Sequence, residues 1–220
     1  MLRIVREMPN PQRAMMGMGL GGLALAQTNQ PYPEVAILHH VPTLIFLLAL
    51  PWISRRWQIS PGAMWCIFAF LVLHTIGGRY TYTNTPYDAW FASLFGQGLN
   101  DLMGWERNHY DRLVHFAFGL LLVLPVVDLF QKHLQISRRF AVYIAVEMVL
   151  AISALYEVFE WLLSIVLAPD NVEAYNGQQG DIWDAQKDMA LAFLGALLTA
   201  AILLFRTPSR APLEGEGKRE

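Results

Sequence analysis

Five runs of roughly twenty mostly apolar residues, joined by polar connectors, leave this 220-residue chain few ways to fold: Ala36–Ile53, Pro61–Gly78, Arg112–Gln131, Phe140–Ala168 and Gln186–Phe205. A helix of about 20 residues crosses a hydrocarbon core of about 30 Å. Lipid offers no partner for backbone amides, so such runs must bond within themselves as helices. Charge is correspondingly scarce, at 15% Asp, Glu, Lys and Arg against about 25% in soluble domains. The expected fold is all-α: an integral membrane bundle formed by residues 1–205 as one multi-pass domain. Residues 206–220, rich in Pro, Gly and charge, are expected to form a disordered cytoplasmic tail.

A sixth segment, Arg13–Gln27, is shorter and rich in Gly and Met. The distribution of basic residues argues that it also spans. If it does, Arg3, Arg6, Arg13, Arg55, Arg56, Lys132, Arg138, Arg139, Arg206, Arg210, Lys218 and Arg219 share one side. That is 12 of the 16 Lys and Arg, with only Arg79, Arg107, Arg112 and Lys187 opposite. Short Lys/Arg-rich loops stay cytoplasmic. About six spans with both termini inside is the consistent solution, since five would put Arg3, Arg6 and Arg13 outside. No cleavage pattern follows the run Ala14–Ala26, so no signal peptide is expected. The net charge of −2 leaves no basic patch for a nucleic acid, and the single Cys66 permits no intrachain disulfide.

Ionisable residues occur where the apolar runs begin and end. In the six-span topology His74, Asp111, His115, Glu157, Glu160, Asp181, Asp184 and Asp188 all fall in the outer third of the membrane. Such groups cost about 2.5–3.5 kcal/mol each on insertion scales and usually face a bundle interior. Asp111 and His115 are i,i+4, as are Asp184 and Asp188, and Glu157 and Glu160 are i,i+3, so each pair shares a helix face. Carboxylates and imidazoles projecting from facing helices build metal sites or acid/base sites. Glu-x-x-Glu is not the Glu-x-x-His pattern of di-iron bundles. The candidate catalytic or acid/base groups are His115, Glu157, Glu160 and Asp188. The candidate metal ligands are His74, Asp111, Asp181 and Asp184, for a divalent ion.

Structural roles compete for several of these residues. Asn108-x-x-Asp111 and Asp181-x-x-Asp184 each read as an N-cap followed by an acid at N3. That does not cover His115 or Asp188, which lie a turn deeper. Glu157 and Glu160 also fit an ion pair with Arg79, Arg107 or Arg112, the residues that would otherwise hold an anionic head group. His74 fits a core histidine bonded to a carbonyl. His39 and His40 open a span without a paired acid and read as interfacial. Gly77-Gly78 marks a helix end with close backbone approach. The alternating Tyr80 and Tyr82 read as interface anchors or as hydrogen-bond donors to the site. Gly177-Gln178-Gln179-Gly180 either admits a ligand or simply turns the chain. Between the third and fourth spans, Trp90, Phe91, Leu94, Phe95, Leu102 and Met103 recur at helical spacing. They suit an amphipathic segment in the interface or a helix over the bundle mouth.

Four blocks in order carry a resemblance. They are His74-x-x-Gly77-Gly78-x-Tyr80-x-Tyr82, Arg107-Asn108-His109-Tyr110-Asp111-Arg112-x-x-His115-Phe116, Ala154-Leu155-Tyr156-Glu157-x-x-Glu160-Trp161, and Gln179-Gly180-Asp181-x-Trp183-Asp184-x-Gln186-x-Asp188-Met189. Together they resemble the YjdF-like family of bacterial inner-membrane proteins, from about His39 to Phe205. The resemblance implies a multi-span fold and marks these residues, but supplies no reaction. The Gly/Met-rich first segment departs from the Leu-rich one the family implies. Asp111-Arg112-x-x-His115-Phe116, with a Glu and then an Asp in later spans, is also similar by analogy to the VanZ-like pattern, with Arg in place of Lys.

Three functions fit these features. One is a metal-assisted or acid/base enzyme acting on a lipid-linked or envelope substrate. The second is a proton- or ion-coupled transporter, although its polar groups would gather at one face and no repeat is visible. The third is a scaffold whose polar cluster is structural. The lipid bilayer is the one partner common to all three.

Overall fold

A computed structural model describes residues 2–166 and 177–205, in which every regular element is an α-helix. These are α1 (Leu2–Glu7), α2 (Asn10–Gln27), α3 (Pro33–Trp57), α4 (Pro61–Arg79), α5 (Tyr87–Phe95), α6 (Leu99–Met103), α7 (Tyr110–Leu134), α8 (Arg138–Val166) and α9 (Asp184–Phe205). Five of them, α3, α4, α7, α8 and α9, are long and apolar enough to cross a membrane. The expected end of the fourth apolar run at Ala168 and the expected tail 206–220 fall outside the described residues.

Local chemistry sets the helix ends. Proline opens α2, α3 and α4, where its missing N–H costs nothing. Ser60 caps α4, accepting the Ala63 N–H at 3.2 Å and donating to the Asp128 carboxylate of α7. α3 and α7 both stop on a glutamine in the left-handed region, Gln58 (φ 46°) and Gln135 (φ 52°).

α2, the sixth segment, packs along α3 for most of its length. Near one end Gln12 donates to the Ile59 carbonyl at 3.2 Å and accepts from the Ser54 hydroxyl of α3. Near the other, Gln27 meets His40 Nδ1 of α3 at 2.5 Å. Residues 12–27 of α2 thus lie antiparallel to residues 40–54 of α3 over about 21 Å, at 1.5 Å per residue. Gly19 permits the approach, since a Cβ there would sit 2.8 Å from the Leu47 side chain. α2 therefore completes a bundle of about six helices.

Packing divides the long helices into two trios, α2–α3–α4 and α7–α8–α9, joined through α4 and α7. The second trio holds the largest apolar core, built from Val123, Val127, Ala141, Val142, Ala145, Val149, Ala192 and Ala196. α7 and α9 pack backbone to backbone. A Cβ on Gly119 would lie 1.8 Å from the Ala192 carbonyl oxygen, and one on Gly195 2.2 Å from that of Phe116. Small residues at facing positions are how membrane helices gain contact where no hydrophobic force separates lipid from protein.

α5 and α6 form the connector between α4 and α7. Asp88 accepts the Asn100 N–H at 2.7 Å, and the Tyr87 hydroxyl donates to Asn100 at 2.6 Å. Leu94, Phe95, Leu102 and Met103 are exposed. A helix laid over the bundle mouth would bury them, so the interfacial reading of this connector fits the observed packing.

Candidate functional site

One end of the bundle gathers the polar residues, because the chain alternates direction. The C-terminal ends of α2, α4 and α8 meet the N-terminal ends of α3, α7 and α9 there. Three groupings result.

In the first, one ligand atom each from Asp111, His115 and Asp188 lies within 4.8 Å of the others. Asp111 and His115 stand one turn apart on α7, with His115 Nε2 3.7 Å from the Asp111 carboxylate. α8 adds Glu157, 3.8 Å from the same nitrogen. Glu160 is hydrogen-bonded by Tyr156 in the same electrostatic neighbourhood. Asp111, His115 and Asp188 are all buried, Asp188 to 2% exposure. Buried carboxylates normally have full sets of partners. Here, among the described residues, Glu157 Oε1 and Asp188 Oδ1 have no hydrogen-bond partner. Among the described residues no Lys or Arg pairs with Asp111, Glu157 or Asp188.

The second grouping is an ion cluster. Arg107 reaches Asp184 at 2.7 Å and Asp181 at 3.5 Å. Arg112 pairs with Asp181 and lies 3.4 Å from Asp184, and Lys187 bonds Asp181 at 2.6 Å. Lys187, the Trp183 amide and Arg112 hold the Asp181 carboxyl down at about 2. Burial, with Arg112 and Arg107 nearby, holds the His109 imidazole below its usual 6.5.

The capping readings change accordingly. α9 begins at Asp184, so Asp181 stands outside it and accepts the Trp183 N–H at 3.1 Å while holding cations. Asn108 accepts from the Tyr110 N–H at 2.9 Å, just ahead of α7. Arg107 and Arg112 face these aspartates and not the glutamates of α8. Segment 177–180 is tied to the residues just ahead of α7. Arg107 donates to the carbonyls of Gly177 and Gln178, while Gln179 and Asn108 exchange hydrogen bonds at 2.9 and 3.0 Å.

The third grouping surrounds His74. Its Nε2 meets the His39 carbonyl at 2.9 Å and its Nδ1 meets the Tyr82 hydroxyl. The core-histidine reading describes this geometry. His39 and His40, read from sequence as interfacial, are instead buried to 2% and 3% exposure. Gly78 makes room for them, since a Cβ there would come within 2.7 Å of His40 Nε2, and Gly77 does the same for Tyr82, whose ring a Cβ would meet at 2.7 Å. Tyr80 and Tyr82 do not face the same way. Thr81 and Tyr82 take φ of 54° and 56°, which turns the chain back and buries Tyr82. Tyr80 stays outside against Trp90 and the Arg79 guanidinium. Arg79 itself closes the end of α2, donating to the carbonyls of Ala26 and Thr28 at 2.7 and 2.9 Å.

Between the first and third groupings opens a cavity of about 390 Å³. His74, Tyr82, Asp111, His115 and Tyr156 line its polar end, and apolar side chains of α3, α4, α7 and α8 line the rest. Sequence reasoning missed Tyr156, Thr43 and Ser153 as lining residues. Tyr156 stands one position before Glu157, a signal that was available. The two hydroxyl residues sit singly in apolar runs and give none.

Comparison with known proteins agrees with this architecture. Residues 12–209 match the family described as predicted membrane protein (DUF2238). The chain is 31% identical over 168 residues to the inner membrane protein YjdF of Escherichia coli (strain K12), covering 76% of each chain. No solved structure matches. The multi-pass helical fold and these matches place the protein in the inner membrane, and the chain belongs to the DUF2238 family of YjdF-like membrane proteins.

Proposed function

We propose that Asp111, His115 and Asp188, with Glu157 beside them, hold a divalent cation at the outer end of the bundle. There the protein acts as a metal-assisted enzyme on the head group of a membrane amphiphile. The observation that carries this reading is the pair of buried, unpartnered carboxylate oxygens, Glu157 Oε1 and Asp188 Oδ1. Among the described residues no Lys or Arg forms an ion pair with Asp111, Glu157 or Asp188, and the His115 imidazole stands 3.7 and 3.8 Å from the first two. Uncompensated carboxylates at membrane depth are costly, and a cation offsets that cost. A mixed imidazole and carboxylate set suits zinc or manganese better than calcium, which prefers oxygen alone.

A cation bound there supplies Lewis-acid polarisation of a substrate oxygen and a more acidic bound water. The chain's own groups do the rest. Glu157, with its carboxylate 3.8 Å from His115, is the candidate to take up or deliver a proton. The Tyr156 and Tyr82 side chains line the cavity and orient what enters. Arg107 and Arg112 keep the ends of α7 and α9 together and are not the head-group clamp.

Elemental analysis of the detergent-purified protein, stripped with chelator and reloaded, is expected to find about one divalent ion per chain. A protein that takes up none overturns the reading. An outward-facing site requires both termini inside, so a reporter fused after Phe205 that works only when exported is expected to stay silent. Transport draws on one observation, that the two helix trios run in opposite senses. Cation-dependent flux in proteoliposomes without any turnover of lipid would favour it.

A further inference from the structure

The cavity beneath the acid and histidine tier has a shape and a chemistry of its own. Along α7 its lining runs from Asp111 to Val126, which is about 22 Å at 1.5 Å per residue. Half of a hydrocarbon core of about 30 Å is about 15 Å, so the trough holds one leaflet-length chain with room to spare. Its volume of about 390 Å³ is near the small end of the usual range of about 300–1,000 Å³ for ligand sites, which suits one chain and not two. Below the polar tier the walls are Phe46, Phe70, Phe118, Leu122, Pro125 and Val126.

Two lining residues interrupt this apolar trough. Thr43 on α3 and Ser153 on α8 are buried to 3% and 2% exposure, and among the described residues neither hydroxyl has a hydrogen-bond partner. Helical Ser and Thr ordinarily bond back to a carbonyl of the preceding turn. In this chain Ser93 and Ser164 do so, at 2.7 and 2.6 Å. Buried hydroxyls left unpaired are destabilising unless something else fills the role. Both lie one turn deeper than the tier above them. Thr43 is four residues beyond His39, and Ser153 is four residues before Glu157, about 5–6 Å in each case. They therefore approach the cavity from separate helices at a similar depth.

We propose that the amphiphile is a glycerolipid whose head group lies at the acid and histidine tier. Its ester carbonyl accepts hydrogen bonds from Thr43 and Ser153, and its acyl chain fills the trough toward Val126. Ester carbonyls follow directly below the head group of a glycerolipid. A polyprenyl phosphate has no acceptor at that depth, so two donors facing an apolar trough suit the first chemistry and penalise the second. This assignment names the substrate class of the site proposed above and rests on that reading for its catalytic role, although the binding can be measured without it.

The test uses full-length protein in mild detergent, with binding of three probes followed by native mass spectrometry. The probes are a diester phosphatidylglycerol, its diether analogue and a polyprenyl phosphate. The diester is expected to bind about tenfold more tightly than the diether, and Thr43→Val combined with Ser153→Ala is expected to erase that difference. Leu122→Trp, which fills the trough, is expected to abolish diester binding while cation content stays at the wild-type level. Equal binding of diester and diether by the wild type overturns the proposal, as does preference for the polyprenyl phosphate. If Leu122→Trp does not fold, the diester-to-diether ratio of the near-isosteric double variant decides alone. An ester preference that persists in a protein without bound metal would sink the catalytic reading and leave the lipid assignment standing.

Discussion

Two clusters of acids face each other across the first turn of α9 and differ in what surrounds them. Asp181 and Asp184 are enclosed by Arg107, Arg112 and Lys187. Asp188, one turn on from Asp184, has no hydrogen bond at Oδ1. With its neighbours Asp111 and Glu157, it has no basic partner beyond His115 among the described residues. The residue types and the depth are nearly the same. The first cluster is closed by the protein itself and ties α7, α9 and the connector together. The second is as buried but incomplete, and buried incompleteness is a better sign of a ligand than buried charge alone.

The sharpest way to break this comparison is to remove members of the open cluster. His115→Ala and Asp188→Ala are each expected to lower divalent-ion affinity by more than about 100-fold, beyond the 10- to 100-fold typical of outer-shell losses. Isothermal titration with Mn²⁺ or Zn²⁺ measures it, and yield and melting of the detergent-solubilised protein should change little. If either variant fails to accumulate while metal binding per folded chain is normal, the cluster is structural.

The closed cluster is expected to behave in the opposite way. Arg112→Ala leaves Asp181 and Asp184 short of a partner, with Asp184 only 4% exposed. Removing one member of a buried pair costs about 3–5 kcal/mol, and the lower end applies here because Lys187 and Arg107 remain. A drop in melting temperature with cation affinity unchanged is the expected result. Equal loss of both would join the two clusters into one functional unit.

A smaller effect is expected from Asp181→Asn. Asp181 keeps a cation partner and an amide, so the change weakens one cluster without opening the core, and cation uptake is expected to be unaffected. The smallest effect is the response to acid. Asp181 has its carboxyl held at about 2, below its usual 3.8. A depressed carboxyl stabilises the fold above its unfolded value, and that stability is lost as pH falls through the folded one. Its contribution is therefore expected to be flat from pH 8 to about 4 and to fade only toward pH 2. Melting curves of wild type and Asp181→Asn across that interval should run parallel at the top and converge at the bottom.

The positions of the spans were legible because hydropathy and length report directly on membrane crossing. The meeting of Asp111, His115, Glu157 and Asp188 was legible because helix periodicity and chain alternation together place them at one depth and on paired faces. The partners of the arginines were not. Arg107 and Arg112 choose Asp181 and Asp184 over Glu157 through the fold of the 177–181 segment, which periodicity does not describe. Tyr82 was among the candidates, but its parting from Tyr80 was not legible: two consecutive left-handed residues turn it inward, and neither Thr81 nor Tyr82 is a residue type that announces such a turn. His39 and His40 were misjudged because their burial depends on the missing side chain of Gly78 in another helix.

Gly119 and Gly195 have a further consequence. With carbonyl oxygens where their first side-chain atoms would be, α7 and α9 cannot slide or roll past one another without collision. Asp111 and His115 ride on one of these helices and Asp188 on the other. The gap between the two halves of the ligand set is therefore a fixed gauge length, set by two absent methyl groups. Among the described residues no glycine of α8 or of the α2–α3–α4 trio brings its backbone this close to α7. The spacing of the site is thereby measured by the wall that α7 and α9 share.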